Sequence, residues 1–306
     1  MRSSAEAQSI CFGKLPIAGD FLRGDAAAPE FTELDDWIQH GLYDSQQRVG
    51  DGFAARFDAL PRSRFLWTQG KGPALAGWWL ASQDAVGRRY PFLLAARLPK
   101  VRPDDYAALP FALADWFAAA GALLDTGFAG CGVVEAIDAA RALACPIDWE
   151  RARRTRDEAL RAATPDSAWA GHGDSPELLL HDLEQVSAQR SPPQYGLRWP
   201  TRGQPADVSF WLTAMAGFGH PLPRLLMWHG ADDSAGNGVA RAVLCPLQPR
   251  LFHGTVFFAD EDDDAYDMGR AAAEDARARS ARARFGAAVT ATDQASAIAT
   301  LPKEAR

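Results

Sequence analysis

The sequence predicts an α/β protein of the α+β kind, an antiparallel β-sheet meander flanked by helices on both faces. Three observations carry the prediction. Strand-like runs at 64–68, 75–81 and 90–98 follow one another across short, turn-rich gaps, as hairpins do and parallel crossovers do not. Phe31, Leu34, Ile38 and Leu42 recur at helical spacing, with Trp37 on the same side. The chain has 306 residues, 47% hydrophobic and 23% charged, which is enough to build a core without covalent staples.

Taken in order, residues 9–12 form a short apolar strand ending at Gly13. The next segment, KLPIAGDFLRGD, carries Pro16, Gly19 and Gly24 and reads as an ordered loop or a broken strand. Pro29 opens a helix with Glu30 and Glu33 at its positive end, and the apolar spacing carries it to Asp44. Phe53, Phe57 and Leu60 continue as a second helical piece before Pro61. In the three strands, Phe65 and Trp67 share one face of the first, and Trp78 and Trp79 lie in the second. Residues 104–126 read as a helix interrupted near Pro110, with Trp116, Phe117, Ala120, Leu123 and Leu124 as its apolar side. Residues 148–163 read as an exposed helix and 164–175 as a loop. Ser175 and Pro176 cap a further helix that Ser191-Pro192-Pro193 ends. Residues 208–214 and 224–229 are expected to be a second pair of strands. Another strand is expected within 244–258, clearest at 255–258. A long Ala/Arg/Glu helix is expected over 262–284, acids first and arginines last, followed by a frayed tail.

Composition excludes several functions. The net charge is -7 and no basic stripe is present, so nucleic acid is not an expected partner. The arginines at 151–161 and 277–284 are interleaved with Ala, Asp and Glu and read as solvated helix faces. The most apolar stretch, 107–137, is broken by Pro110, Asp115 and Asp125, so no membrane insertion is expected. Cys11, Cys131, Cys145 and Cys245 are scattered without CxxC spacing, and MRSSAEAQS lacks the apolar core of a signal peptide. Reduced thiols in the cytosol follow.

The residues of catalysis do not assemble into a set. No GxSxG elbow occurs, and Cys145 and Cys245 precede prolines without a partner base. Gly70-Lys71-Gly72 reads as a hairpin turn rather than a phosphate loop, and the acidic run 260–264 with Asp267 as a solvated helix start rather than a cation loop. One constellation remains. His220, His229, Asp232, Asp233 and His253 converge if 225–229 and 255–258 pair in one sheet, which leaves a metal-dependent hydrolase at 220–253 as an alternative. HGADDSAGNG reads first as an ordinary Asp/Gly/Asn turn, and neither a metal nor a cofactor is expected.

Two segments are more closely specified than ordinary loops. The first is Gly13-Lys14-Leu15-Pro16 with Gly19-Asp20-Phe21. The second holds Ser82, Asp84, Val86-Gly87-Arg88 and Tyr90-Pro91. Asp84 suits the role of accepting turn N–H bonds, Gly87 permits positive φ, and Asp20 and Arg88 are placed to pair across the sheet end. Such clusters are turn chemistry first; held rigidly, they also carry binding.

These segments, with the tryptophan helix between them, resemble the TagF/ImpM family, accessory proteins of the bacterial type VI secretion system. The resemblance rests on FGKLPIAGDF, Trp37 and GPALAGWWLASQDAVGRRYPFLLAARL and covers 10–124. Residues 208–230, with Phe210-Trp211, resemble the family's later tryptophan strand. It implies a fold similar to profilin- or longin-like domains. A TagF-like domain is then expected over 1–260, with the motifs in 8–126 and a helical insert and second strand group in 127–260. Residues 261–306 are left as a C-terminal helix and tail. The resemblance further implies a cytoplasmic, non-enzymatic regulator without cofactor. It would repress assembly or firing of the machine after translation, by binding the system's forkhead-associated (FHA) scaffold protein. Lys14, Asp20, Ser82, Asp84 and Arg88 are then the expected partner-binding residues. Gly13, Pro16, Gly19, Trp37, Gly87, Tyr90, Pro91 and Trp211 are structural, and no catalytic residue carries over. A structural subunit of the apparatus is the second alternative.

Overall fold

Strands that are apolar on both faces need cover on both sides. Among its described residues the chain meets that need with one nine-stranded sheet. The computed structural model describes residues 7–24, 29–68, 73–126, 128, 130–162, 196–217, 222–230, 238–258 and 265–267. The strands are β1 (Gln8–Gly13), β2 (Leu22–Arg23), β3 (Ser63–Thr68), β4 (Ala74–Leu80), β5 (Phe92–Leu98), β6 (Gly196–Thr201), β7 (Leu225–Trp228), β8 (Gly238–Val243) and β9 (Ala265–Asp267). Their order is β2-β1-β5-β4-β3-β7-β8-β6-β9. The pairings are antiparallel except that of β6 with β9, which is parallel. The meander expected from 64–98 is β3-β4-β5.

The α-helices among the described residues are α1 (Pro29–Val49), α2 (Phe53–Asp58), α3 (Pro103–Tyr106), α4 (Leu109–Ala112), α5 (Ala114–Thr126), α6 (Val133–Arg141), α7 (Trp149–Ala162), α8 (Pro205–Gly217) and α9 (Arg250–Phe257). Alternation along the strands sorts the core into two layers. Cross-strand register puts Cys11, Leu94, Trp78, Arg64, Trp228, Ala240 and Trp199 in one row on one face. That face packs against Trp116 and Phe117 of α5, Ala136 of α6, Leu160 of α7 and Trp211 of α8. The opposite face carries Phe12, Leu93, Trp79, Phe65 and Met227. It packs against Phe31, Leu34 and Ile38 of α1 and Leu251 and Phe252 of α9. Trp67, Trp79, Trp199, Trp211 and Trp228 are all fully buried. Truncating any of them to alanine costs about 3–5 kcal/mol on the usual scale.

Three expectations fail, each for a local reason. Residues 208–214 are not a strand but the middle of α8, so Trp211 sits on a helix. Val208, Phe210, Trp211, Leu212, Ala214 and Met215 are all buried, with α4 and α7 packed on the helix. An all-round apolar helix shows no 3.6-residue stripe to read. Residues 255–257 belong to α9, and the chain leaves that helix through Phe258 at φ 48°. That helix packs on α1, and the Phe257 ring meets Phe53 of α2 instead of lying in a sheet. Within 262–284, Ala265–Asp267 forms β9 rather than helix.

Strands β6 and β8 take the sheet positions that 208–214 and 255–258 were expected to fill. Pro200 lies within β6, and β9 reaches only Gly196, Leu197 and Arg198, so Pro200 falls where β8 alone runs alongside. Proline is tolerated at such an open flank because no ladder donor is required there. The expected loop and helix over 164–193, the turn 70–72 and the acidic run 260–264 lie outside the described residues. Among the described residues no helix is long and apolar enough to cross a membrane.

Candidate functional site: a buried carboxylate and the groove beside it

The connection from β4 to β5 is organised by one side chain. Asp84 is 2% exposed. Its Oδ1 accepts the backbone N–H of Val86 at 3.1 Å and of Arg88 at 2.8 Å. Its Oδ2 faces the Lys14 ammonium at 3.0 Å and accepts Arg88 Nε at 2.7 Å. Gly87 takes φ 86°, which turns the chain so that both N–H groups reach the carboxylate. The Gly87 N–H donates to the Asp84 carbonyl at 2.9 Å, and the Tyr90 N–H to the Ser82 carbonyl at 3.0 Å, closing the turn.

The first motif segment is fastened to the second. Arg88 Nη2 donates to the Gly19 carbonyl at 2.6 Å, and the Ala85 N–H to the Ala18 carbonyl at 2.8 Å. Lys14 is itself buried, 5.0 Å from the centre of the Phe21 ring. Gly13 has φ 118°, and a Cβ there would lie 2.0 Å from the Pro91 carbonyl oxygen, so no other residue fits between β1 and the start of β5. Asp20 does not pair with Arg88 as expected. Its Oδ1 accepts the N–H of its neighbour Phe21 at 2.8 Å, and Arg88 is held by Asp84. Pro16 is exposed in the same loop.

Burial opposes the charge of Asp84. The Arg88 N–H, the Lys14 ammonium and the Arg88 guanidinium outweigh it and hold the carboxyl well below the usual carboxylate range. Two partners went unseen in the sequence. Arg89 grips Asp58 of α2 with bonds of 2.8 and 2.6 Å. The buried Tyr90 hydroxyl donates to Asp35 of α1 at 2.5 Å, and burial, then Asp35, push its pKa far up. An Arg and a Tyr beside acids at distances of 31 and 55 residues give no sequence signal. Trp37 Nε1 donates to the Gln248 carbonyl at 2.9 Å, tying α1 to the approach to α9.

The same turn forms one wall of an open groove of about 830 Å³, in which Arg88, Arg89 and Tyr90 face Leu42 and Tyr43 of α1 and Phe53 of α2. Tyr43 is 64% exposed, and Val86, at the tip of the turn, is 70% exposed.

A second buried carboxylate lies at the far end of the molecule. Asp207, in the first turn of α8, accepts the Thr201 hydroxyl and, at 2.7 Å, the Arg202 N–H. Burial outweighs the Thr201 hydroxyl, the Arg202 and Gly203 amides and the Arg202 charge, and its pKa is pushed up to about 6.

The hydrolase alternative loses its geometric premise, because 255–257 is helical and does not pair with β7. His253 stacks on Phe257 within α9, and the His229 ring meets Phe258 edge-on. Among the described residues no group of three or more His, Cys, Asp or Glu is placed to hold a metal. His220, Asp232 and Asp233 lie outside the described residues. Burial pushes the Cys145 thiol up to about 12, which makes it a packing residue rather than a nucleophile.

Residues 10–142, which contain both motif segments, match the family of the TagF N-terminal domain, described as type VI secretion system-associated. Over that span the chain is similar to the TagF family. The matched span runs from β1 through α6, and the later elements complete the sheet from β7 outward. No curated protein sequence matches the chain. A crystal structure of PA0076 from Pseudomonas aeruginosa PAO1 is similar in fold, with a TM-score of 0.51 at 19% identity, covering 83% of this chain and 96% of that one. The likeness in fold therefore extends past residues 10–142 into the second half of the sheet.

Proposed function

We propose that this chain is a non-enzymatic, cytoplasmic accessory protein of the type VI secretion system. In this reading it represses assembly or firing after translation by binding the FHA-domain scaffold protein. Its contact surface is the 82–91 turn and the groove that the turn walls. One observation supports the reading above the others: the charge of Asp84 is directed inward, onto Lys14 and Arg88. The carboxylate therefore fixes a shape, and it leaves Val86, Tyr43 and the Arg88 edge presented to a partner. A surface already rigid loses little entropy on binding.

The test is capture of the purified scaffold by wild-type protein and by Val86→Asp and Tyr43→Asp, both at exposed positions. Loss of capture with an unchanged Tm is expected, and undiminished capture by both variants removes the surface from the proposal. Deleting the gene distinguishes repressor from structural subunit, because effector release rises in the first case and stops in the second. Stoichiometric bound zinc in the purified protein would return the hydrolase to consideration.

A further inference from the structure

A smaller pocket, of about 190 Å³, opens on the opposite face of the sheet from the groove. Arg64, Pro110, Ala114, Phe117, Gly203 and Trp228 line it. Register sets Arg64 between Trp78 of β4 and Trp228 of β7, and its guanidinium lies 4.6 Å from the Trp78 ring and 5.8 Å from Phe117. One of its nitrogens donates to the Gly203 carbonyl at 3.0 Å, while Nε is enclosed with no acceptor. Among the described residues no carboxylate pairs with it. Its neighbour Arg62 is engaged elsewhere, with Asp125 at 2.5 Å and the Gly121 carbonyl at 2.7 Å. Burial first, and then Arg62, lower the pKa of Arg64 from the ordinary guanidinium value.

A half-buried cation held by one neutral carbonyl and two aromatic rings lacks a counter-anion, and enclosed charges are normally paired. The anion that suits it is planar and singly charged. A carboxylate matches the guanidinium fork with two oxygens. A phosphate dianion would bring a second charge against walls that, Arg64, Gln204 and Gly203 apart, are proline, alanine and aromatic carbon. A dry cavity near 150 Å³ holds a benzene-sized body, so the space admits roughly four to seven carbon atoms. We infer that this pocket binds a small organic monocarboxylate, with its carboxylate on Arg64 and its apolar body against Pro110, Ala114 and Trp228. The site is separate from the turn and groove and does not depend on their function.

The experiment titrates the full-length protein with butyrate and benzoate, reading the Trp78 and Trp228 indole N–H signals by two-dimensional NMR. Saturable shifts are expected, with Kd on the order of 1–10 mM for ligands of this size. Butyramide and benzamide, which keep the shape without the charge, are expected to bind at least about tenfold more weakly. Ala118→Phe plugs the mouth from an exposed position on α5 and is expected to abolish the shifts without changing Tm. Arg64→Lys, which keeps the charge but not the fork, is expected to weaken them. Equal binding of the amides, stronger binding of inorganic phosphate, absence of saturation, or shifts unaffected by Ala118→Phe would each overturn the assignment.

Discussion

Asp84 and Asp207 are both withdrawn from water, at 2% and 7% exposure, and both accept backbone N–H groups from the loop they organise. Asp84 also faces Lys14 and Arg88, whereas Asp207 has the Thr201 hydroxyl and backbone amides. The first carboxyl is pulled down and the second pushed up to about 6. Burial sets the cost of the charge, and the partner decides whether it is met. The turn beside the groove thus keeps one charge state through the physiological range, while the corner between β6 and α8 changes state within reach of it.

The largest expected effect comes from breaking the first site. Asp84→Ala leaves Lys14 buried without its counter-charge and frees two turn N–H groups. Tm should fall by roughly 5–15 °C and scaffold capture should be lost. Adding Lys14→Met should return part of that loss, and a strictly additive double mutant would show that the two charges are not coupled.

Next in size is Asp207→Asn, which keeps an acceptor oxygen and removes the titration. Because the folded pKa lies above the unfolded value, Asp207 holds its proton in the fold between pH ~4 and ~6. Stability is then full below pH ~4, falls as pH rises through ~6, and is flat above. The variant should lose that slope in denaturant unfolding at stepped pH and gain up to about 3 kcal/mol at pH 7. An unchanged slope would place the titrating group elsewhere. Asp84 gives the contrast. Its stabilisation is complete above the unfolded pKa of ~3.9 and is lost only as pH falls through its depressed folded value, so no slope from it is expected between pH 5 and 8.

The smallest effect belongs to Arg89→Ala. Its pair with Asp58 is partly exposed on both sides, and solvent screens it, so Tm should stay within about 2 °C. Scaffold capture measured beside it tests whether the wall of the groove matters apart from its stability.

The first half of the fold was legible because its signals are local. Alternation in β3, the four-residue recurrence along α1, and the Asp and Gly of the 82–91 turn all lie within a few residues of one another. The second half was not. In α8 burial on every side erases the period. In α9 the Thr255-Val256-Phe257 run has strand composition in a helical setting, and Gly238 and Pro200 disguise β8 and β6. The site divides in the same way. The bonds of Asp84 to the turn could be anticipated from spacing. Its contact with Lys14, the Arg64 pocket and the burial of Asp207 come from residues brought together by the fold, and Asp20, the partner expected for Arg88, bonds its own neighbour instead.

The outermost strands of the sheet, β2 and β9, are two and three residues long. Among the described residues they cover only Phe12 and Gly13 of β1 and Gly196, Leu197 and Arg198 of β6. Strands so short offer a second chain little ladder of their own to extend, which is one way sheet proteins avoid stacking edge to edge. A surface read instead by side chains and contour, as the turn and its groove would be, can change its specificity by single substitutions without disturbing the backbone that presents it.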